Sequence, residues 1–219
     1  MAGYVLSVPQ IRAIFKTRKM EQNENKMATD TNEQLNALKE RAYKTAVEHG
    51  FHEEEKSDAY WLGLVMSEMG EAINADRKGL HADTKGFEDG LAKFPPMDCF
   101  NAYIKDTVED EIADIVIRLL DFAGLKKYAP FIISSDLNFS NHVLQEFENC
   151  KLPGVLFNLI GSLYDASDAN ILEECIGLVI VVLSDCFKTM TGSDKDLWWF
   201  VERKMKYNEL RPKLNGKKY

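Results

Sequence analysis

The fold is decided by the stretch VEDEIADIVIRLLDFA, which runs from Val108 to Ala123. Apolar residues recur in it at the spacing of one face of an α-helix. Glu111 and Asp114 interrupt that face between Val108 and Ile115, and they stand three residues apart. A helix therefore places both carboxylates in nearly the same direction, one turn apart. The stretch predicts a long helix that presents two carboxylates from an otherwise apolar face.

A second pair with the same spacing, Glu68 and Glu71, lies upstream in SEMGEA. Glu68 also interrupts an apolar stripe, formed by residues three, four or seven positions away: Trp61, Leu64, Val65 and Ala72. Carboxylates held against a core cost several kcal/mol each unless a positive group satisfies them. Four such acids without a matching set of Lys or Arg indicate hard divalent cations, and an all-oxygen site favours Mg²⁺ or Mn²⁺.

Two other interpretations of these pairs stay open. Acid pairs three residues apart also occur on solvated helix faces, where they bind nothing. A ferritin-like di-iron bundle is a competitor, but that architecture uses Glu-x-x-His pairs, and neither pair here contains His.

Three runs of sequence place the motifs in a fixed order. ExxE lies within Glu48–Gly79, ExxD lies within Tyr103–Gly124, and K-x-x-x-N opens Lys204–Tyr219. In this combination the chain resembles the MazG-like all-α nucleoside triphosphate pyrophosphohydrolases. The resemblance implies an all-α helical bundle in which four carboxylates bind Mg²⁺ at the triphosphate and form the catalytic centre: Glu68, Glu71, Glu111 and Asp114. It also implies hydrolysis to a nucleoside monophosphate and pyrophosphate. The all-oxygen donor set allows Mn²⁺ as a substitute for Mg²⁺.

The charges agree with this expectation. A triphosphate brings about four negative charges to four carboxylates, so two or more divalent ions are needed to hold it, to activate the attacking water and to balance the leaving pyrophosphate. Lys204, Asn208 and Arg211 fall at i, i+4 and i+7, so we expect them on one face of a helix that Pro212 ends, bound to phosphate or sugar. A simple charged tail helix is the alternative.

Arg118 lies four residues beyond Asp114 and shares the carboxylate face. It is a candidate for substrate binding, for orienting a carboxylate, or for a structural pair with Asp114. The general base is not assigned, because some relatives carry an extra acid immediately before ExxE and this chain has Ser67 there. A catalytically weak nucleotide-binding or regulatory protein is therefore the rival function, and a helical interaction module is a second rival.

The predicted organisation has an N-terminal extension or linker (1–29) and a helical domain (30–219). The domain divides into a metal-binding half, a degenerate repeat, and a C-terminal helix with a tail: 30–125, 140–192 and 193–219. Within it we predict one helix that begins at Asp30 or Thr31 and ends at Gly50, and two others over 57–77 and 103–125. A long loop at 79–102 would either close over the nucleotide or seal one end of the bundle.

The second half weakly repeats the first. LEECIGLVIVVLSDCF, Leu172–Phe187, aligns with Val108–Ala123 and puts Cys175 at the position of Glu111 and Leu178 at that of Asp114. This pattern predicts a fused degenerate pseudo-dimer with one working site, although ordinary helix composition also produces so few identities. A homodimer is expected as well, to cover four apolar side chains: Ile176, Val179, Ile180 and Leu183.

Composition limits the partners. The net charge of −8 over 219 residues argues against nucleic acid. No apolar run approaches the ~20 residues of a membrane span, and the start has no pattern of a signal peptide. Four cysteines without metal-ligand spacing indicate reduced thiols. We therefore expect a cytoplasmic protein whose partner is a free nucleoside triphosphate, with no nucleic acid and no membrane.

Overall fold

All regular secondary structure in the described part of the chain is α-helical, as predicted. The computed structural model describes residues 26–129, 131 and 151–213, with side chains from Asn32 onward. These residues form α1 (Lys26–Glu48), α2 (Asp58–Lys78), α3 (Thr84–Gly90), α4 (Pro96–Tyr103), α5 (Val108–Leu125), α6 (Leu152–Asp168), α7 (Leu172–Thr191) and α8 (Leu197–Glu209).

The two helices that carry the acid pairs begin at hydroxyl caps. Ser57 Oγ accepts a hydrogen bond from the Tyr60 amide at the start of α2, and Gly79, with φ 65°, ends that helix in the left-handed conformation. The predicted helix over 57–77 is thus confirmed. α5 begins later than the predicted 103, because a turn that ends at Thr107 precedes it and the Thr107 hydroxyl accepts from the Asp110 amide.

The predicted loop at 79–102 is wrong, because α3 and most of α4 lie there. Asp83 caps α3 by accepting from the Gly86 amide at 2.7 Å. Pro96 opens α4 at a position where its missing amide hydrogen costs nothing. Two aromatic rings of this segment pack on α8: Phe87 edge-on against Trp199, with centroids 5.6 Å apart, and Phe100 stacked on Tyr207 at 4.4 Å. These contacts hold the segment against α8, and its expected role as a lid over the nucleotide or as the seal of a bundle end stays a prediction.

The core is organised around α5, which packs against α1, α2, α7 and α8. α6 packs against α7 and α2. The pairs α2/α5 and α6/α7 therefore contact each other through both of their members. This is an arrangement that a pseudo-dimer would have, but the repeat itself stays a prediction, and residues 140–150 of it lie outside the described residues.

The apolar face that was expected to need a second copy is covered inside the chain. Four side chains of α7 are each at most 1% exposed: Ile176, Val179, Ile180 and Leu183. They contribute to the same core as α5. These side chains therefore need no second copy of the chain to cover them. The homodimer stays a prediction that the α7 face does not support.

Both ends of the described chain differ from expectation. α1 begins at Lys26, inside the range predicted as an extension, and residues 1–25 lie outside the described residues. α8 ends at Glu209, so Arg211 follows the helix in a turn and does not continue its face. Arg41 joins α1 to the end of α8, since it bonds Glu202 at 2.6 Å and Glu209 at 2.5 Å.

The cysteines that the structure describes agree with the prediction of reduced thiols. Cys99, Cys175 and Cys186 are buried thiols. Cys150 lies outside the described residues. None of the described helices combines the length and the hydrophobicity that a membrane span requires.

Gly124 tests the close approach of α1 to α5. A Cβ at this position would lie 2.5 Å from the Cβ of Tyr43, closer than packing allows. We expect Gly124→Ala to lower the free energy of unfolding by about 1–3 kcal/mol. Gly63→Ala is the matched control, because Gly63 lies in α2 with open space around it and should gain about 0.5–1 kcal/mol. Urea denaturation measures both, and equal effects would contradict the contact.

Candidate metal centre

Three carboxylates converge between α2 and α5. One oxygen from each of Glu68, Glu71 and Glu111 can be chosen so that all lie within 4.8 Å of one another. Glu68 and Glu111 are buried, at 7% and 4% exposure, whereas Glu71 is exposed. The two buried acids are the ones that interrupt the apolar faces, so the pattern indicated their burial correctly. Glu71 marks the side from which solvent or a ligand would enter.

Asp114, the fourth predicted ligand, lies beside this group of three. It is half-buried, and its Oδ2 is 2.7 Å from Nζ of Lys204. Burial raises the pKa of Glu68 and of Glu111, and the negative charge of Asp114 raises both further, which places Asp114 near both. The structure therefore brings three of the four predicted ligands together. The fourth, Asp114, lies beside them and forms an ion pair with Lys204.

Arg118 orients a carboxylate of the group. Its Nε donates to Glu68 Oε1 at 3.0 Å, and its guanidinium lies 6.0 Å from the centre of the Phe51 ring. This contact corresponds to one of the roles considered for Arg118, that of orienting a carboxylate. The arginine balances one of the buried charges.

Lys204 forms a buried bridge between α8 and α5. Nζ lies 2.7 Å from Oδ2 of Asp110 and 2.7 Å from Oδ2 of Asp114. The side chain is almost fully enclosed, close to the rings of Phe100 and Tyr207. In this arrangement the ammonium group is occupied by two acids of the protein, and a phosphate contact would require it to share or leave them.

The other two predicted phosphate ligands lie at the end of α8. Asn208 is half-buried, and its Oδ1 has no hydrogen-bond partner. The Arg211 guanidinium lies 5.6 Å from the centre of the Tyr207 ring. We expected three residues on one helix face, but the helix ends before Arg211. Only Lys204 and Asn208 therefore share that face.

Sequence reasoning missed Asp110, the most buried acid of this region. It is 1% exposed and lies one helical turn before Asp114, so both acids reach Lys204 Nζ. Nothing in this spacing distinguished Asp110 from a solvated acid. A signal did exist in Lys204, since a lysine among apolar helix positions requires an acid when it is buried, but the sequence could not show which acid.

A second polar contact that was missed joins His52 to α5. His52 Nε2 donates to Asp121 Oδ1 at 2.7 Å, and the His52 ring packs 4.9 Å from that of Trp61. His52 Nδ1 and Trp61 Nε1 are buried without a hydrogen-bond partner. Asp121 lies one turn beyond Arg118, so this aromatic group adjoins the carboxylates.

The centre holds more negative than positive charge. Five carboxylates (Glu68, Glu71, Asp110, Glu111 and Asp114) face the cations of Arg118 and Lys204. Burial, followed by the charges of Asp114 and Asp110, raises the pKa of Glu111 to about 8. Burial also raises the pKa of Asp110 to about 6, although Lys204 opposes the rise.

The residues present fit a hard divalent cation. The converging donors are all carboxylate oxygens, the preferred ligands of Mg²⁺ and Mn²⁺. The excess of buried negative charge would be relieved by such an ion. Glu68, Glu71 and Glu111 would hold it, and Asp114 would join them if Lys204 released it.

Comparisons with known proteins add no assignment to this site. The chain matched no protein-family model, no curated protein and no solved structure.

The raised pKa of Glu111 predicts how stability depends on pH in the metal-free protein. The folded pKa of about 8 exceeds the ordinary 4.5, so the native state holds this proton more tightly than the unfolded state does. Stability is therefore lost as the pH rises from about 5 to about 8. We expect Glu111→Gln to stabilise the protein by about 1–3 kcal/mol at pH 9 and to change it little at pH 5.

Denaturation in EDTA at both pH values measures this effect. Glu55→Gln is the control, since Glu55 is exposed in the turn before α2. A gain from Glu111→Gln that is the same at pH 5 and pH 9 would contradict a buried carboxyl that ionises with difficulty.

The bridge formed by Lys204 predicts a large loss of stability when its charge is removed. Lys204→Met leaves Asp110 and Asp114 without their cation, so we expect a cost of about 3–5 kcal/mol. Adding Asp110→Asn should recover part of it, because one of the uncompensated charges is then gone. Lys206→Met, on the exposed side of α8, should cost at most about 1 kcal/mol. Equal effects of the two lysine variants in urea denaturation would refute the bridge.

Proposed function

We propose that this chain is an Mg²⁺-dependent nucleoside triphosphate pyrophosphohydrolase, with Mn²⁺ as a substitute. The observation that carries the proposal is the convergence of Glu68, Glu71 and Glu111 from two packed helices, within a centre that has an excess of negative charge. The resemblance of the ExxE, ExxD and K-x-x-x-N motifs to the MazG-like enzymes supports the choice of reaction. The role would be cytoplasmic housekeeping of the nucleotide pool.

In the proposed reaction, water attacks the α-phosphorus of the substrate and the bond to the bridging oxygen breaks. The products are a nucleoside monophosphate and pyrophosphate, and the proton of the water goes to a base that is not assigned. Bound divalent ions would neutralise the carboxylates and the triphosphate and would polarise the reacting phosphate.

The protein's own residues have distinct parts in this proposal. Glu68 and Glu111 are held in place by burial, and Arg118 fixes the orientation of Glu68. Glu71 closes the group from the exposed side. Arg118, Asn208 and Arg211 carry donors suited to phosphate oxygens, and Lys204 adds positive charge from behind Asp114.

A second candidate is a nucleotide-binding or regulatory protein with little turnover. Two of the four predicted ligands are already bonded to protein cations, Glu68 to Arg118 and Asp114 to Lys204. Ser67 occupies the position where some relatives of the resembled family carry an extra acid, and its Oγ donates to Glu71 Oε1 at 3.4 Å. These contacts would compete with a metal ion and lower activity.

Product analysis separates the two candidates. The purified chain is incubated with a panel of ribo- and deoxyribonucleoside triphosphates and Mg²⁺, and the products are resolved by ion-exchange chromatography. Monophosphate with pyrophosphate is the expected result. Diphosphate with phosphate would refute the proposed chemistry, and Mg²⁺-dependent nucleotide binding without products would establish the second candidate.

Glu71→Gln tests the carboxylate group without disturbing the fold. Glu71 is exposed and its hydrogen bond from Ser67 is long, so the isosteric amide should leave stability unchanged. We expect the rate of pyrophosphate release to fall about 100-fold or more, since one charged ligand is lost. Glu55→Gln is again the control and should keep full activity. Unchanged activity in Glu71→Gln would show that the ligand assignment is wrong.

A further inference from the structure

The chain folds back after α8, and its last described residues pack against the turn between α1 and α2. Lys213 Nζ lies 2.5 Å from Oε1 of Glu53 in that turn. Gly50, just after α1, has φ 81°, and a Cβ there would lie 2.5 Å from Cε of Lys213. We call residues 210–213 the C-terminal segment. It includes Arg211, one of the predicted phosphate ligands.

His49 connects this segment to the end of α1 through both of its ring nitrogens. The residue directly follows the last residue of α1 and is 9% exposed. Nδ1 lies 2.7 Å from the carbonyl oxygen of Thr45, and Nε2 lies 2.9 Å from the carbonyl oxygen of Arg211. A carbonyl oxygen only accepts hydrogen bonds, so each ring nitrogen must donate. Only the protonated ring, the imidazolium, has two N–H donors.

The end of α1 favours a positive charge at His49. The last turn of a helix carries the negative end of its dipole, and the Thr45 carbonyl belongs to that turn. The charged side chains of the adjoining segments have other contacts: Glu48 with Lys44 on α1, Glu53 with Lys213, Glu209 of α8 with Arg41, Asp121 of α5 with His52, and the Arg211 guanidinium with the Tyr207 ring.

A neutral His49 ring cannot keep both contacts. The loss of one proton sets a nitrogen lone pair against a carbonyl oxygen at 2.7 or 2.9 Å, which is repulsive. The contact with Thr45 joins residues four positions apart at one helix end, whereas the contact with Arg211 joins residues 162 positions apart. Moving the C-terminal segment disturbs less structure than unwinding the end of α1. The contact with Arg211 is therefore the one that breaks.

The turn that receives the segment also contacts the helix of the candidate metal centre. The guanidinium of Arg118 lies 6.0 Å from the centre of the Phe51 ring, two residues after His49. Arg118 in turn donates to Glu68. His49 thus fixes the backbone of Arg211 relative to a turn that packs beside the carboxylates.

We infer that His49 is a positioning residue for Arg211. As an imidazolium it holds the C-terminal segment against the turn between α1 and α2, and as a neutral ring it releases the segment. The inference rests on the proposed function only for the consequence of release, which is weaker binding of a triphosphate by Arg211. The attachment itself is measured without nucleotide.

Nuclear magnetic resonance of the full chain tests the attachment at pH 5.5 and pH 8. With ¹⁵N-labelled histidine, His49 should show two ring N–H signals at pH 5.5 and one at pH 8. Hydrogen exchange of the Arg211 amide, which donates to the Asn208 carbonyl, reports opening of the segment. After correction for the intrinsic pH dependence of exchange, its protection should fall about 10-fold from pH 5.5 to pH 8, because a charge-assisted hydrogen bond is lost.

Three variants separate the protonated ring from ordinary packing. His49→Gln places an amide nitrogen near the position of Nε2, so it should protect the Arg211 amide equally at both pH values. His49→Asn reaches only towards Thr45, so protection should be about 10-fold lower at both pH values. Lys213→Met removes the ion pair with Glu53 but keeps His49, so the difference between the two pH values should remain.

Turnover tests the consequence for the substrate. At one pH, KM for the triphosphate should be about 10-fold higher in His49→Asn than in His49→Gln, with equal kcat. Equal KM values in these two variants would overturn the positioning of Arg211. A single ring N–H signal of His49 at pH 5.5, or equal protection of the Arg211 amide in the unaltered chain and His49→Asn at that pH, would overturn the attachment. If the exchange pattern is as expected while no triphosphate is hydrolysed, the attachment stands and the proposed function fails.

Discussion

The burial of like charges between α2 and α5 is the constraint on which the rest of the structure depends. Packing the apolar faces of these helices forces Glu68 and Glu111 out of water, because each acid interrupts the face that is buried. Their mutual repulsion and desolvation must then be offset by cations. Arg118 offsets one acid from within α5, and Lys204 offsets two others from α8. The position of α8 is therefore tied to the acids of α5.

The ion pairs with Asp110 and Asp114 give Lys204 a structural role, whereas its motif predicts a contact with the substrate. A lysine in K-x-x-x-N would serve a substrate phosphate, yet here its ammonium group already has two acid partners and little exposure. The two parts are compatible if divalent ions take over the acids and release positive charge towards the substrate. In that case the lysine neutralises Asp110 and Asp114 as long as no metal is bound.

The sequence predicted the long helices and the convergence of three of the four acids. It did not predict contacts between residues that are far apart in the chain. The helix α2 and the burial of Glu68 followed from the spacing of apolar residues, whereas the Ser57 cap was not predicted. α3 and α4 were missed because Gly and Pro suggested a loop, whereas Asp83 and Pro96 start helices there. Asp110 was missed because its partner Lys204 is 94 positions away, and no local pattern specifies such a pair.

If the predicted repeat holds, the two helix pairs differ in the acids that they place on the buried face. In the register of the predicted repeat, Cys175 and Leu178 of α7 stand where α5 has Glu111 and Asp114, and both are fully buried. The stretch NLIGSLYDAS also resembles LVMSEMGEAI, which sets Ser162 against Glu68 and Asp165 against Glu71. The Ser162 hydroxyl donates to the Asn158 carbonyl inside its own helix. Acids at these positions would be buried without the cations that Arg118 and Lys204 supply, since Val182 takes the place of Arg118. The α6/α7 pair can therefore cover α2 and α5 without burying acids at Ser162, Cys175 and Leu178.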